Sequence, residues 1–351
     1  MQFFGAEAER VARLCHAMAE RFRRGGRLLA VARSPRGWSD ARHVAVEFVH
    51  PVIVGKRALP ALALTPEQLA ALARPDDMVI AFDPQEDLRV AGERGCLTIA
   101  FCPRTAADWV FVPPVADPFV AQELAETLYH FLWEHVHVFL EHGGRRSRGG
   151  GAAGFLYPFL EEQGDGREAL IADVRESVLM KAREIAALRA QTLEENRPEL
   201  DAAAAALRAC FDGGGKLLAL GNGGSATDAM DVVADLAPRA AIDLTADAGI
   251  VTAIANDIGT EAIFARQVIA YGSPGDVVLA LSTSGNSDNV IAALAEARRR
   301  GLVTIAMVGY DGGRVAAEAL ADHVVVTRSE HIPRIQEAQA SAYHLLVESV
   351  G

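Results

Sequence analysis

The sequence predicts two tandem α/β domains, each built on a parallel sheet. Three observations lead there: short apolar runs alternating with helical stretches, one Gly-rich break, and an internal repeat. At roughly 150 residues per domain, 351 residues give two domains, each large enough to bury a core. Half the residues are apolar and 23% are charged, the balance of a globular chain rather than a disordered one. Asp plus Glu outnumber Lys plus Arg by 46 to 34, so the net charge of −12 has the wrong sign for coating nucleic acid or an anionic membrane. No nucleic-acid and no membrane partner is expected. No run approaches 18 uncharged apolar residues, and the N-terminal stretch carries Glu7, Glu9, Arg10, Arg13 and Arg21, which argues against a span or a signal peptide. Cys15, Cys96, Cys102 and Cys210 are scattered without a C-x-x-C pair, the usage of a reducing, cytoplasmic setting.

In the first half, strands are expected at 28–32, 78–82, 97–101 and 109–112, with helical stretches between them. The segment 143–151 (GGRRSRGGG) is too Gly-rich and too charged to pack, and reads with its tail as a linker. The chain therefore divides into a domain over 1–142, a linker over 143–166 and a domain over 167–351. Helices over 167–195 and 198–211 open the second domain as packing or oligomerisation helices. Its strands are expected at 217–220, 250–254, 277–281, 303–308 and 323–327, with a helix from 289 to 300 whose basic end complements its dipole.

The halves repeat one another. Arg27-Leu-Leu-Ala-Val matches Lys216-Leu-Leu-Ala-Leu, and the stretch from Asp40 to Phe48 matches that from Asp228 to Leu236. Gln122-Glu and Tyr129-His130 recur as Gln336-Glu and Tyr343-His344. In the second half Gly221-Asn-Gly-Gly-Ser225 lies between a strand and a helix, where it is either a plain tight turn or a site for close backbone approach to a ligand. Ser282-Thr-Ser-Gly-Asn-Ser287 follows another strand. Its four hydroxyls exceed the one an N-cap needs and point to a bound phosphate.

With those motifs, Ala253–Gly259 (AIANDIG), Gly309–Gly313 (GYDGG) and Arg334–Glu337 (RIQE), the chain from about residue 165 to 351 resembles the sugar isomerase (SIS) fold, and within it the phosphoheptose isomerases. The resemblance implies a flavodoxin-like, doubly wound parallel sheet and interconversion of sedoheptulose 7-phosphate with the corresponding heptose 7-phosphate. It also implies that Asn222, Gly223, Gly224, Ser225, Asp257, Ser282, Thr283, Ser284, Ser287 and Gln336 hold the sugar phosphate. Family members place a His and a Glu four apart on the helix after GNGGS, joined around a metal, usually zinc, by a Gln and a His from the last helix. Here those positions hold Asp231 and Asp235, with Gln336 and His344 retained and Pro333 in place of the Asp that opens D-R-I-Q-E.

The first half supplies what the second lacks. At the repeat positions it has His43, Glu47, Gln122 and His130, the full metal set, which implies Zn²⁺ or a similar divalent ion, one per chain. Glu47 is the expected base, and His130 or His344 the acid. Where the phosphate loops should be, the first half has Ala32-Arg-Ser-Pro-Arg-Gly37 and Phe82-Asp-Pro-Gln-Glu-Asp87, whose three carboxylates would repel a phosphate. A pseudo-dimer with one composite site follows. Because the family forms tetramers of single domains, this chain is expected to form a homodimer. His135, His137 and His142 read as surface or interface residues, Trp133 and Phe139 as core or interface, and Arg145, Arg146 and Arg148 as solvated linker. The resemblance leaves open an isomerase for another phosphosugar, a phosphosugar-sensing regulator, and a non-enzymatic SIS protein that binds a phosphosugar or a partner such as the replication initiator.

Overall fold

The computed structural model describes residues 2–52, 55–84, 86–103, 105–142 and 166–350. The expected linker, with Arg145, Arg146 and Arg148, lies almost wholly outside the described residues. Contacts divide the chain into two units, Met1–Ala186 and Ala187–Gly351.

The first unit opens with α1 (Gln2–Arg23), which buries Phe4, Leu14 and Met18. It continues through β1 (Leu28–Val31), α2 (Pro35–Val49), β2 (Ala61–Leu64), α3 (Pro66–Leu72), β3 (Met78–Ala81), α4 (Arg89–Glu93), β4 (Leu97–Ala100), β5 (Trp109–Val110) and α5 (Pro118–His142). Its five strands are parallel in the order β2-β1-β3-β4-β5. β1 and β3 bury every residue, so their near-continuous apolar runs follow from helices covering both faces. α2 starts where Ser34 accepts the Gly37 N–H and Pro35 supplies a ready-made first-turn φ. α6 (Arg167–Glu195) follows, and its residues Ile171, Val174, Val178 and Ala182 join this core. The division between units therefore falls inside that helix rather than ahead of it.

The second unit runs through α7 (Arg197–Asp212), β6 (Leu217–Gly221), α8 (Gly224–Asp235), β7 (Ala241–Asp243), α9 (Ala248–Asp257), α10 (Ile263–Tyr271), β8 (Val277–Ser282), α11 (Asp288–Arg299), β9 (Val303–Gly309), α12 (Gly313–Ala317), β10 (His323–Thr327) and α13 (Ile332–Val350). Its parallel sheet, read from the other edge, has the order β7-β6-β8-β9-β10. Both sheets thus have the flavodoxin-like order 2-1-3-4-5, with a switch point between their first and third strands.

Two polar staples recur. Arg27 donates to Asp77 through its backbone N–H and its guanidinium, at 2.9 and 2.7 Å. Lys216 binds Asp276 in the same way, at 3.0 and 2.6 Å. In each case a carboxylate at the foot of the third strand ties down the residue before the first. Likewise Thr98 and Asp108 exchange backbone and hydroxyl hydrogen bonds, as do Thr304 and Asp322.

The sequence misplaces one strand: 250–254 is helical, within α9. Asp247 caps that helix by accepting the Ile250 N–H, and Val251, Ile254 and Ala255 lay one helical face on the core. β2 and β7 were not expected. His135 and His137 are buried, not superficial: their Nε2 atoms lie 3.0 Å from Ser177 Oγ and the Arg57 carbonyl, and their Nδ1 atoms face carbonyls one turn back. Trp133 and Phe139 belong to the core, and the four cysteines are buried thiols. Among the described residues no helix is long and apolar enough to cross a membrane.

Candidate active site

At the switch point of the second unit the loop after β6 meets the loop after β8. Gly223 turns the chain into α8 at φ 59°, and Ser225 lies buried in that helix's first turn. Asn222 and Asn289 exchange side-chain amide hydrogen bonds of 2.9 Å across the two loops. Ser282 Oγ accepts the Gly285 N–H, and Ser284 Oγ accepts the Asn286 N–H, both at 3.2 Å. Ser287 starts α11 without a side-chain cap bond, so its hydroxyl is available to a ligand. Thr283, Ser284 and Ser287 are half-buried, and hydroxyls and backbone N–H groups converge at two helix N-termini, the surroundings a phosphate dianion requires.

A third loop, Gly309–Gly313, holds this cradle in shape. The Gly309 N–H donates to Thr283 O at 3.0 Å, the Val315 N–H to Gly285 O at 3.1 Å, and the Arg314 N–H to Asn286 Oδ1 at 2.9 Å. A Cβ on Gly313 would stand 2.3 Å from Ser284 O, and one on Gly309 2.5 Å from Thr283 O. The Gly-x-x-Gly-Gly spacing after β9 was the available signal. Asp257 is exposed at the end of α9, and no hydrogen bond or ion pair among the described residues brings it to the cradle.

In the first unit the fully buried His43, Glu47 and His130 offer donor atoms within 4.8 Å of one another. His43 and Glu47 share one face of α2, and α5 presents His130 to them. The two Nε2 atoms are 3.3 Å apart, and His43 Nε2 lies 3.9 Å from Glu47 Oε1. Burial pushes the Glu47 carboxyl up to about 7, while burial and neighbouring His130 hold His43 well below its usual range. The His43 imidazole is thus poised as a neutral donor. Glu47 Oε2 has no hydrogen-bond partner among the described residues, so the group offers an unused buried oxygen to a cation. Buried imidazoles and a carboxylate suit a borderline divalent ion such as Zn²⁺. Gln122 lies two turns before His130 on α5, about 12 Å along the axis, and is buried.

The second unit carries a different set at the corresponding places. His344 Nε2 lies 3.7 Å from Asp231 Oδ2 and 3.6 Å from Asp235 Oδ2, and the Tyr343 hydroxyl donates to Asp231 at 3.0 Å. Gln336, also on α13, is buried.

Comparison with known proteins joins these geometries to a family. The SIS domain family matches residues 182–309. Over 175 residues the chain is 41% identical to the phosphoheptose isomerase of Solidesulfovibrio magneticus, covering 48% of this chain and 84% of that one. The chain belongs to the phosphoheptose isomerase family. A phosphoheptose isomerase from Roseiflexus sp. is 43% identical over 171 residues, covering 46% of this chain and 84% of the relative. In fold alone, the chain is similar along 99% of its length to the C-terminal domain of glucosamine-fructose-6-phosphate aminotransferase from Francisella tularensis, with a TM-score of 0.62 and 14% identity over 93% of that chain. The likeness in fold thus spans both sheets. Within this phosphoheptose isomerase-like chain, the hydroxyl cradle and the His–Glu–His group stand in different units.

Proposed function

We infer that the chain is a sugar-phosphate isomerase of the aldose–ketose class, and propose that it interconverts sedoheptulose 7-phosphate and glycero-manno-heptose 7-phosphate. The observation that carries this reading is the complementary retention of two half-sites: a hydroxyl cradle in the second unit and a buried His43–Glu47–His130 group in the first. Each unit lacks what the other keeps, since Ala32–Gly37 and the acidic Phe82–Asp87 replace the cradle loops in the first and Asp231 and Asp235 replace the His and Glu in the second. The two half-sites form one composite site, within a chain or between chains, with the units related as a pseudo-dimer. A homodimer would then reproduce a four-domain assembly in the cytoplasm.

The phosphate is held by Ser225, Thr283, Ser284 and Ser287 and by the N–H groups opening α8 and α11, which fixes the open-chain sugar at one end. His43, Glu47 and His130, with Gln122 as the expected fourth donor, would hold a divalent ion, which when bound supplies Lewis-acid polarisation of the substrate carbonyl. Glu47 moves the proton between C1 and C2, its two carboxylate oxygens dividing ion ligation and proton transfer between them. His130, or His344 from the second unit, moves the proton between the two oxygens.

Turnover of sedoheptulose 7-phosphate by zinc-loaded protein, set beside five- and six-carbon phosphosugars, tests the assignment. The expected result is a kcat/KM for the heptulose at least tenfold above the shorter sugars. Equal or greater turnover of a shorter sugar moves the substrate, and no turnover of any of them refutes the isomerase reading.

A further inference from the structure

The switch point of the first unit is already occupied by the chain itself. There the loop after β1 meets the loop after β3, the places that carry the cradle in the second unit. Asp83 reaches across. Its Oδ2 accepts the N–H groups of Arg33 and Ser34, the latter at 2.8 Å, and its Oδ1 accepts the Ser34 hydroxyl. Two consecutive backbone N–H groups and a hydroxyl at the start of a helix form a donor set for an anion, favoured further by the positive end of α2. The backbone is shaped to admit it: a Cβ on Gly37 would stand 2.6 Å from Asp83 Oδ1.

We propose that Asp83 is a tethered anion filling the first unit's phosphate-equivalent site, so that the chain takes a phosphorylated ligand at one of its two switch points and not at both. The neighbouring charges point the same way. Arg33 is paired with Glu67 at 2.8 Å and Glu86 at 3.7 Å, and the adjoining cleft of about 510 Å³ also includes Asp87 on its wall. That volume suits a small ligand. With Asp87 bound bidentately by Arg89, the Arg33 guanidinium is left against Glu67, Glu86 and Asp83, an excess of negative charge that repels a free phosphate dianion. A tethered carboxylate also competes at high effective concentration. Because α2 bears His43 and Glu47, fastening its N-terminus steadies the helix that presents them. Exclusion at the first switch point depends on atoms of the first unit alone, whereas a site count of one per chain rests on the phosphate reading of the second unit's cradle.

The test uses the full-length protein, the variant Asp83→Ala, and inorganic phosphate at constant ionic strength. Asp83→Ala lowers the thermal midpoint by about 2–4 °C, the shift expected on losing about 1 kcal/mol of hydrogen bonding to a carboxylate in a unit of this size, and millimolar phosphate restores it. Equilibrium dialysis finds one more phosphate per chain in the variant than in wild type. Adding Ser284→Ala and Ser287→Ala to both proteins removes the second unit's contribution and leaves that difference of one intact. A cradle that binds nothing is thereby distinguished, because it lowers both counts equally. Asp83→Ser, which keeps a polar loop side chain, replaces the alanine variant should that not fold. Wild-type stability in the variant, a loss that phosphate does not restore, or equal phosphate counts in the two proteins overturns the proposal.

Discussion

Replacing Gly285 by alanine strikes the cradle through its backbone and leaves every hydroxyl in place. Gly285 has φ +62°, and an added Cβ would lie 2.3 Å from Gly312 O and 2.9 Å from Gly312 C. Non-bonded heavy atoms settle near 3.5 Å, so one of the two loops must move by roughly 1 Å. Neither can yield by a side-chain rotation, because the obstacle is backbone. Left-handed φ with a Cβ costs about 1–2 kcal/mol, and the displacement raises the total to roughly 2–4 kcal/mol. A 1 Å misplacement of the phosphate costs on the order of 100-fold in kcat/KM, equivalent to about 2.7 kcal/mol. Gly214→Ala is the matched control: Gly214 has φ +76°, but nothing lies within 4 Å of its added Cβ. It is expected to lose about 1 kcal/mol of stability and no activity. Urea unfolding and steady-state kinetics on the three proteins decide the matter. A folded Gly285→Ala protein with kcat/KM within threefold of wild type, or a Gly214→Ala protein equally impaired, would refute the reasoning.

Three further outcomes are expected. Lys181 Nζ meets Glu134 at 2.5 Å with both side chains buried, so Lys181→Met strands a buried carboxylate and costs about 3–5 kcal/mol in urea unfolding, most of it recovered in Lys181→Met/Glu134→Gln. His43→Ala or His130→Ala lowers zinc affinity at least tenfold in chelator competition followed by atomic emission, whereas Asp231→Asn leaves it unchanged. Asp77→Asn and Asp276→Asn, which break the matching staples, each cost about 1.5–3 kcal/mol, read as a lowered urea midpoint, and similar losses at the two sites would show that the staples are equivalent.

Central strands are legible in the sequence because burial on both faces leaves them uniformly apolar, as in β1, β3, β6 and β8. Flanking strands are not. β2 (Ala61–Leu64) is apolar throughout but only four residues long, two of them alanine, a weak strand former, and β7 is three residues ending on Asp243, so neither stands out as a strand. The segment Ile250–Ile254 looks like a strand because it is rich in β-branched residues, but its Asp247 cap and one-sided burial make it helix. The His43–Glu47–His130 group was legible because i, i+4 spacing on a helix survives in sequence and the repeat supplied its partner on α5. Asp83 was not, since one carboxylate among three in an acidic loop gives no sign of which one turns inward. His135 and His137 misled for a related reason: a buried imidazole is tolerated where carbonyls and a hydroxyl satisfy it, and those partners are distant in sequence.

The proposed function places proton transfer in the first unit and the phosphate cradle in the second. Turnover of sedoheptulose 7-phosphate by zinc-loaded wild type, Glu47→Gln and Asp235→Asn tests it most directly. The account predicts loss of at least 1,000-fold in kcat for Glu47→Gln and a change within about threefold for Asp235→Asn, on the scale expected for removing a general base. Loss confined to Asp235→Asn, with Glu47→Gln fully active, would contradict it and place the chemistry in the second unit alone.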